Sequence, residues 1–302
     1  MIAIKPLTIT DSNLTSASTT ETDETEWDSG TTYAADDLVM VTTPNIHTIY
    51  ISVQGSNTNH NPVTDDGTWW TSQGATNRWE LFDGGLTTQT TDSSNLVYVI
   101  TPGEVVNAVA VLNAAATSAQ VQVIDPTEGT VYDSTVSLTD EAAFTDWYGY
   151  FYDGISAKRD AVFIDLPAYS TAAITVTFTT DSGTASVGEL VLGLQQPLGT
   201  TLVGTVVGTK NRSIKVEDSF GNYVITSKPK SKRANYQIKV LTNSISAIQN
   251  FLTDNLDNPI VWIGEESQGA TIVYGYIKDH NLIYSEPEGS YSDFSLQIEG
   301  LS

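Results

Sequence analysis

The stretch Ile174-Thr175-Val176-Thr177-Phe178 decides the fold class, because apolar and polar side chains alternate strictly along it. Successive side chains of a β-strand point to opposite faces of a sheet, so the pattern predicts a strand with one buried face. Seven further strand-length runs lie between residues 93 and 197: Leu96–Ile100, Val105–Leu112, Ala119–Ile124, Val131–Leu138, Trp147–Tyr152, Ala161–Leu166 and Ser186–Leu194. Eight strands joined by Gly, Pro and Asp turns predict a two-sheet, jelly-roll-like β-sandwich over residues 93–197.

Beyond residue 198 the pattern includes a helix. Tyr236, Ile238 and Val240 alternate as in a strand, and an amphipathic helical pattern follows. Its apolar positions are Ile245, Ile248, Phe251, Leu252 and Leu256, and Asp257-Asn258-Pro259 ends it. Further strand-like runs on both sides predict a compact α+β domain over residues 198–302 with one amphipathic helix; among these runs are Ser213–Val216, Asn222–Thr226 and Ile260–Ile263.

The composition limits the classes of protein that this chain fits. It has 302 residues and no cysteine, which excludes a disulfide framework and thiolate metal sites. There is no run of eighteen apolar residues, so we expect no membrane insertion. The start at Met1–Pro6 does not have the order of a signal peptide.

Charge is distributed unevenly along the chain, whose net charge is −23. Residues 1–197 have 25 acidic and 4 basic side chains, whereas residues 198–302 have 11 and 9. The acidic part is expected to repel nucleic acid, and the nearly neutral part suits docking to other proteins. The split favours a domain boundary near residue 198. Together with the changes of composition and pattern along the chain, it gives four regions: an extended N-terminal arm (1–26), a small carbohydrate-binding-like β module (27–92), the β-sandwich (93–197) and an α+β assembly domain (198–302).

Aromatic residues are concentrated between Trp27 and Phe82, among Gly, Asn and Asp turns. In so small a unit most of these rings are needed for the core. Alternation along a strand would point one ring of the pair Trp69-Trp70 inward and the other outward. An exposed ring stacks on sugar or on protein equally well, so both partners stay open. The sugar hypothesis assigns Trp69, Trp70, Tyr50 and Asn57 to a carbohydrate-binding site.

Motifs of catalysis and of cofactor binding do not occur in the sequence, and the three histidines are far apart along the chain. We therefore expect no enzyme, no cofactor and no metal. Asp65-Asp66-Gly67 and Asp36-Asp37 contain ligands that calcium prefers, but turn formation explains them better.

A basic cluster covers residues 228–233. Nucleic acid would fit it, but the acidic remainder favours a solvated loop or an acidic protein partner. We assign Lys228, Lys230, Lys232, Arg233 and Trp262 to an assembly interface.

Part of the chain resembles the small chitin-binding modules of secreted chitinases and cellulases. The residues that carry the likeness are Trp27 to Val39 (WDSGTTYAADDLV), Tyr50-Ile51-Ser52, Asn57, Asn59, Pro62 and Trp69-Trp70. Those modules commonly have Gly-Asp where this chain has Asp36-Asp37.

The whole chain resembles a family of tail proteins of tailed bacteriophages that have such a module at the N-terminus. The segments that carry this likeness are residues 74–83 (GATNRWELFD), 146–151 (DWYGYF), 218–222 (DSFGN), 259–264 (PIVWIG) and 294–301 (FSLQIEGL). The resemblance implies a structural protein of the virion near the tail tip. Its expected partners are other tail proteins, further copies of the chain around the tail axis, and host-surface polysaccharide.

Overall fold

The computed structural model describes residues 1–43, 45–139, 157–181, 183–217, 220–284 and 290–301. Within these ranges the protein is mainly β, with several sheets and one α-helix near the C-terminal end, as the alternating sequence pattern predicts. The predicted strand Trp147–Tyr152 lies outside the described residues.

The strands before residue 198 are β1 Ile2–Pro6, β2 Leu14–Ala17, β3 Thr32–Tyr33, β4 Leu38–Val41, β5 Thr48–Ser52, β6 Asn57–Thr58, β7 Trp70–Ala75, β8 Thr90–Asp92, β9 Leu96–Ile100, β10 Ala108–Leu112, β11 Ser118–Asp125, β12 Gly129–Ser137, β13 Ala161–Phe163, β14 Ala173–Thr179, β15 Ala185–Val187 and β16 Glu189–Pro197. The later elements are β17 Thr200–Thr201, β18 Val206–Asn211, β19 Ile214–Glu217, β20 Tyr223–Thr226, β21 Lys230–Leu241, helix α1 Ile245–Asp254, β22 Ile260–Ile263, β23 Ile272–Ile283 and β24 Tyr291–Gly300.

Two sheets form the predicted sandwich. One has the order β12-β11-β14-β9-β2, and the other includes β13, β10 and β16. Inward-facing side chains of both sheets, among them Val121, Val176 and Phe178 on one side and Val111 and Leu192 on the other, form one hydrophobic core. The alternation of β14 places Ile174, Val176 and Phe178 inside this core, which is why these residues indicate the fold from the sequence alone.

The N-terminal segment differs from the expected arm. Strand β1 lies between β16 and β22 in a ten-stranded sheet of order β13-β10-β16-β1-β22-β23-β24-β21-β17, with β18 also paired to β21. Ala3 and Ile4 are completely buried, and the terminal amine donates a hydrogen bond to the Gly199 carbonyl (2.8 Å). The segment is extended, but it completes the sheet, because a neighbouring strand on each side satisfies its backbone groups. This sheet contains strands from both sides of residue 198, whose role as a domain boundary stays a prediction.

The aromatic-rich region has two small sheets, β4-β5-β7 and β3-β6. Tyr33, Val39 and Trp70 form its buried cluster, against which Trp27 and Tyr50 pack. Trp79, which comes from the end of this region, is buried instead in the core of the sandwich.

The C-terminal part packs helix α1 against the ten-stranded sheet. Ile248 and Leu252 are buried in a core that includes Tyr236 and Trp262, whereas Leu256 lies beyond the helix and is exposed. Among the described residues there is no helix with the length and apolar character needed to cross a membrane.

Candidate functional site

The pair Trp69-Trp70 points to opposite sides of the aromatic-rich region, as the alternation predicts. The Trp70 side chain is 2 % exposed, its Nε1–H donates to the His60 carbonyl (2.8 Å), and its ring meets Tyr33 edge-on with centroids 5.2 Å apart. Trp69 is half-buried, and its ring stacks on the His60 imidazole with centroids 3.8 Å apart and an interplanar angle of 10°. Of the two tryptophans, only Trp69 is accessible to a ligand.

The other two residues assigned to sugar binding have different positions. Tyr50 is partly exposed on β5 and packs against the same aromatic cluster as Trp69. Asn57 is completely buried, and its Nδ2–H₂ donates to Ser52 Oγ (3.0 Å) and to the Trp69 carbonyl (3.3 Å). The direct-contact role expected for Asn57 and Trp70 is therefore corrected: burial keeps both side chains away from any ligand, and they hold Trp69 in place.

The acidic loop before Trp69 forms turns. One carboxylate oxygen of Asp65 accepts backbone N–H groups of Gly67 (2.9 Å), Trp69 (3.0 Å) and Trp70 (3.0 Å), and Asp66 accepts from Thr68. All of these bonds lie within the loop, so the Asp side chains stabilise turns, as the sequence predicts. In the ranges that the structure describes, no three His, Asp or Glu side chains form a group that could hold a metal ion.

The residues assigned to the assembly interface are only partly at the surface. Lys228, Lys230 and Arg233 are exposed. Lys232 is partly exposed, but its ammonium is bound within the chain: it pairs with the Asp160 carboxylate and donates to the carbonyls of Gly269 (2.8 Å) and Ile272 (3.0 Å).

Trp262 is not at an interface of this chain. It is completely buried and donates its indole N–H to the Gly275 carbonyl (2.9 Å). Its assignment is corrected: as a large ring in the run Ile260–Ile263, it fills the C-terminal core.

A two-stranded hairpin, β19 with β20, is the most exposed apolar feature near the basic cluster. Among the residues that the structure describes, these strands pair only with each other, and all eight of their residues are exposed. The register opposes Ile214 to Thr226 and Val216 to Val224, so these four side chains share one face. We call it the apolar face of the hairpin. On the other face, Lys215 opposes Ile225 and Glu217 opposes Tyr223.

Sequence reasoning did not single out this face. The strands Ser213–Val216 and Asn222–Thr226 are predicted, and their Ile and Val residues look like core positions. Alternation predicts which side chains share a face, but it does not say whether another layer covers that face.

A buried carboxylate, Glu189, lies at the start of β16. It is 5 % exposed, accepts the Gly84 N–H (3.0 Å) and borders a cavity of about 210 Å³ together with Asp83 and Tyr274. Burial, reinforced by the nearby Asp83 charge, raises the pKa of Glu189 to about 9. Both oxygens of Asp83 accept hydrogen bonds from its own loop, at Gly85 N (2.6 Å) and Thr88 Oγ1 (2.9 Å). Glu189 therefore ties the loop of residues 83–88 to the sheet, and Asp83 stabilises the conformation of the loop itself.

His47 connects the N-terminal segment to the aromatic-rich region. Its buried ring lies between two carboxylates, with Nδ1 2.6 Å from Glu21 and Nε2 3.0 Å from Asp11. Glu21 also accepts from Thr76 Oγ1 (2.8 Å) and lies 3.8 Å from the Arg78 guanidinium. This network fixes the polar N-terminal segment, which has too few apolar residues to fold by itself.

No protein-family model matches this chain, and no curated protein is similar enough to be matched to it. The site is therefore defined by geometry: a half-exposed Trp69–His60 stack at one position and an exposed apolar hairpin beside a basic cluster at another.

Proposed function

We propose that this chain is a non-enzymatic structural protein of a bacteriophage tail or tail tip, in the virion, where it contributes to tail assembly and to contact with host-surface glycan. The observation that carries the assembly role is the hairpin β19–β20, with Ile214, Val216 and Val224 exposed on one face. Exposed apolar patches of this kind are typical of protein–protein contacts. The sequence resemblance to tail proteins is the reason for placing this assembly role in a bacteriophage tail.

The acidic character of residues 1–197 supports the same proposal. With 25 acidic and 4 basic side chains, this part stays hydrated and repels nucleic acid, which suits an outward-facing region of a particle. We propose that the C-terminal part docks to other tail proteins and to further copies of the chain. The aromatic-rich region then projects outward.

Immunogold electron microscopy of purified virions tests this function. Antibody raised against the full chain is expected to label one end of the tail. Label on the capsid, or virions without label, would refute the tail assignment.

The second function is that of a carbohydrate-binding adhesin or receptor-binding protein outside the tail core. The observation that favours it is the half-exposed Trp69 ring beside Tyr50, with the His60 imidazole on one ring face. Flat rings bind the C–H faces of sugars, and neighbouring polar groups orient them.

A glycan array with the full chain tests the adhesin. Trp69→Ala is expected to lower the affinity of any bound glycan by about tenfold or more, since burial of a large apolar side chain contributes about 1.5–3 kcal/mol. Tyr169→Ala is the matched control, because it removes a partly exposed ring elsewhere. A blank array, or equal binding by both variants, would remove this candidate.

A further inference from the structure

Within the described residues neither face of the hairpin β19–β20 has a covering layer, and one of the two is the apolar face. Ile214, Val216 and Val224 lie on that face, all about half exposed or more. The base of the hairpin is closed by a hydrogen bond from the Lys228 N–H to Ser213 Oγ (3.2 Å). A two-stranded hairpin alone is marginally stable in water, and burial of apolar side chains stabilises sheets. A partner that covered this face would therefore stabilise the hairpin.

Positive charge is concentrated around the same hairpin. Seven of the 13 Lys and Arg residues of the chain lie between residues 206 and 233, where only Glu217 and Asp218 are acidic. Lys210 and Arg212 pair with Glu299, and Lys232 pairs with Asp160. Within the described part of the chain, the remaining four make no ion pair: Lys215, Lys228, Lys230 and Arg233.

The complementary charge is on the chain itself, because residues 1–197 have a net charge of −21. We infer that the hairpin docks onto residues 1–197 of a second copy of this chain, with its Lys and Arg side chains against the acidic surface and its apolar face over apolar side chains exposed there, such as Val53 and Leu194. The inference rests on the proposed role in assembly and names its partner. Charge attraction would steer and orient the copies, while the apolar face would supply the burial.

The same charges disfavour one symmetry of the contact. Two hairpins facing each other across a two-fold axis would bring Lys228 and Lys230 of both copies near each other, and like charges disfavour that arrangement. A hairpin on the acidic surface instead joins two different patches. Made reciprocally, such contacts close a two-fold dimer; otherwise they form a ring where the rotation closes, or a filament where it does not.

Sedimentation velocity of the purified full chain over a wide concentration range tests the inference. The wild type is expected to associate, and less strongly as salt rises. Val216→Asp with Val224→Asp is expected to weaken association by about tenfold or more, because charges would enter the apolar face. Val203→Asp is the matched control: Val203 is fully exposed but lies outside the hairpin, so association should not change.

The contact itself is identified by carbodiimide cross-linking of mixed, isotope-labelled copies. Links from Lys228 or Lys230 of one copy to acidic residues of 1–197 in another are expected. A chain that stays monomeric, association that the hairpin variant leaves unchanged, or links of Lys228 only to residues 198–302 would each overturn the inference. Absence of antibody label on virions would refute the tail function but would not change the self-association measured on the purified chain. Failure of the tail function and failure of the docking inference are therefore distinguishable.

Discussion

Substitution of Glu189 by Gln is expected to change how the stability of this protein depends on pH. Glu189 is buried at the start of β16, and its pKa is raised from 4.5 to about 9 by burial and by Asp83. Between these two values the folded state keeps the proton and the unfolded state releases it. The unfolded state therefore binds fewer protons, and the free energy of unfolding falls as pH rises through this window.

The magnitude follows from the slope of proton linkage. One proton corresponds to about 1.4 kcal/mol per pH unit, so the wild type should lose about 2.7 kcal/mol relative to Glu189→Gln from about pH 6 to about pH 8. Glu80, whose pKa is raised to about 7 by burial and by Asp83 and Asp23, titrates in part of the same range. Comparison of the variant with the wild type cancels titrations that both proteins share.

Urea unfolding, followed by tryptophan fluorescence at a series of pH values, measures this difference. The control is Glu104→Gln, which removes a carboxylate at an exposed position and should leave the wild-type pH profile unchanged. Parallel profiles of Glu189→Gln and the wild type would refute the argument, since they would mean that Glu189 is already ionised in the folded protein.

Three further substitutions test the packing of the fold. Trp262→Ala should lower the free energy of unfolding by about 3–5 kcal/mol, because the ring is completely buried; a loss below about 1 kcal/mol in urea unfolding would contradict its place in the core. His47→Gln should cost about 1.5–3 kcal/mol, because the Gln amide is not placed to bond both Glu21 and Asp11 as the two ring nitrogens do, and limited proteolysis should then cut sooner around Glu21; unchanged cleavage would count against the network. Gly193→Ala should destabilise the junction of β16 with β1, because the added Cβ would collide with the Lys5 carbonyl; an unaltered thermal midpoint would contradict the pairing.

Local pattern predicts much of this fold. Strands β9 and β22 coincide with the predicted runs Leu96–Ile100 and Ile260–Ile263, and helix α1 begins at the predicted Ile245. These elements are periodic and lie between turn residues, so side-chain spacing alone defines them.

Long-range pairing was not predictable in the same way. The run Ile2-Ala3-Ile4 is too short to show a period, yet β1 pairs with β16 and β22, almost 200 and 260 residues away. The Trp69–His60 stack depends on a loop conformation, and the exposure of Val216 and Val224 depends on which layers pack against which sheets. Sequence spacing contains none of this information.

Labelling of purified virions with two antibodies tests whether the chain assembles through the hairpin. One antibody recognises residues 48–75 of the aromatic-rich region, and the other recognises the hairpin at residues 214–226. If assembly buries the hairpin, the first antibody labels one end of intact tails, whereas the second labels only disrupted particles. Equal labelling of intact tails by both antibodies would contradict it.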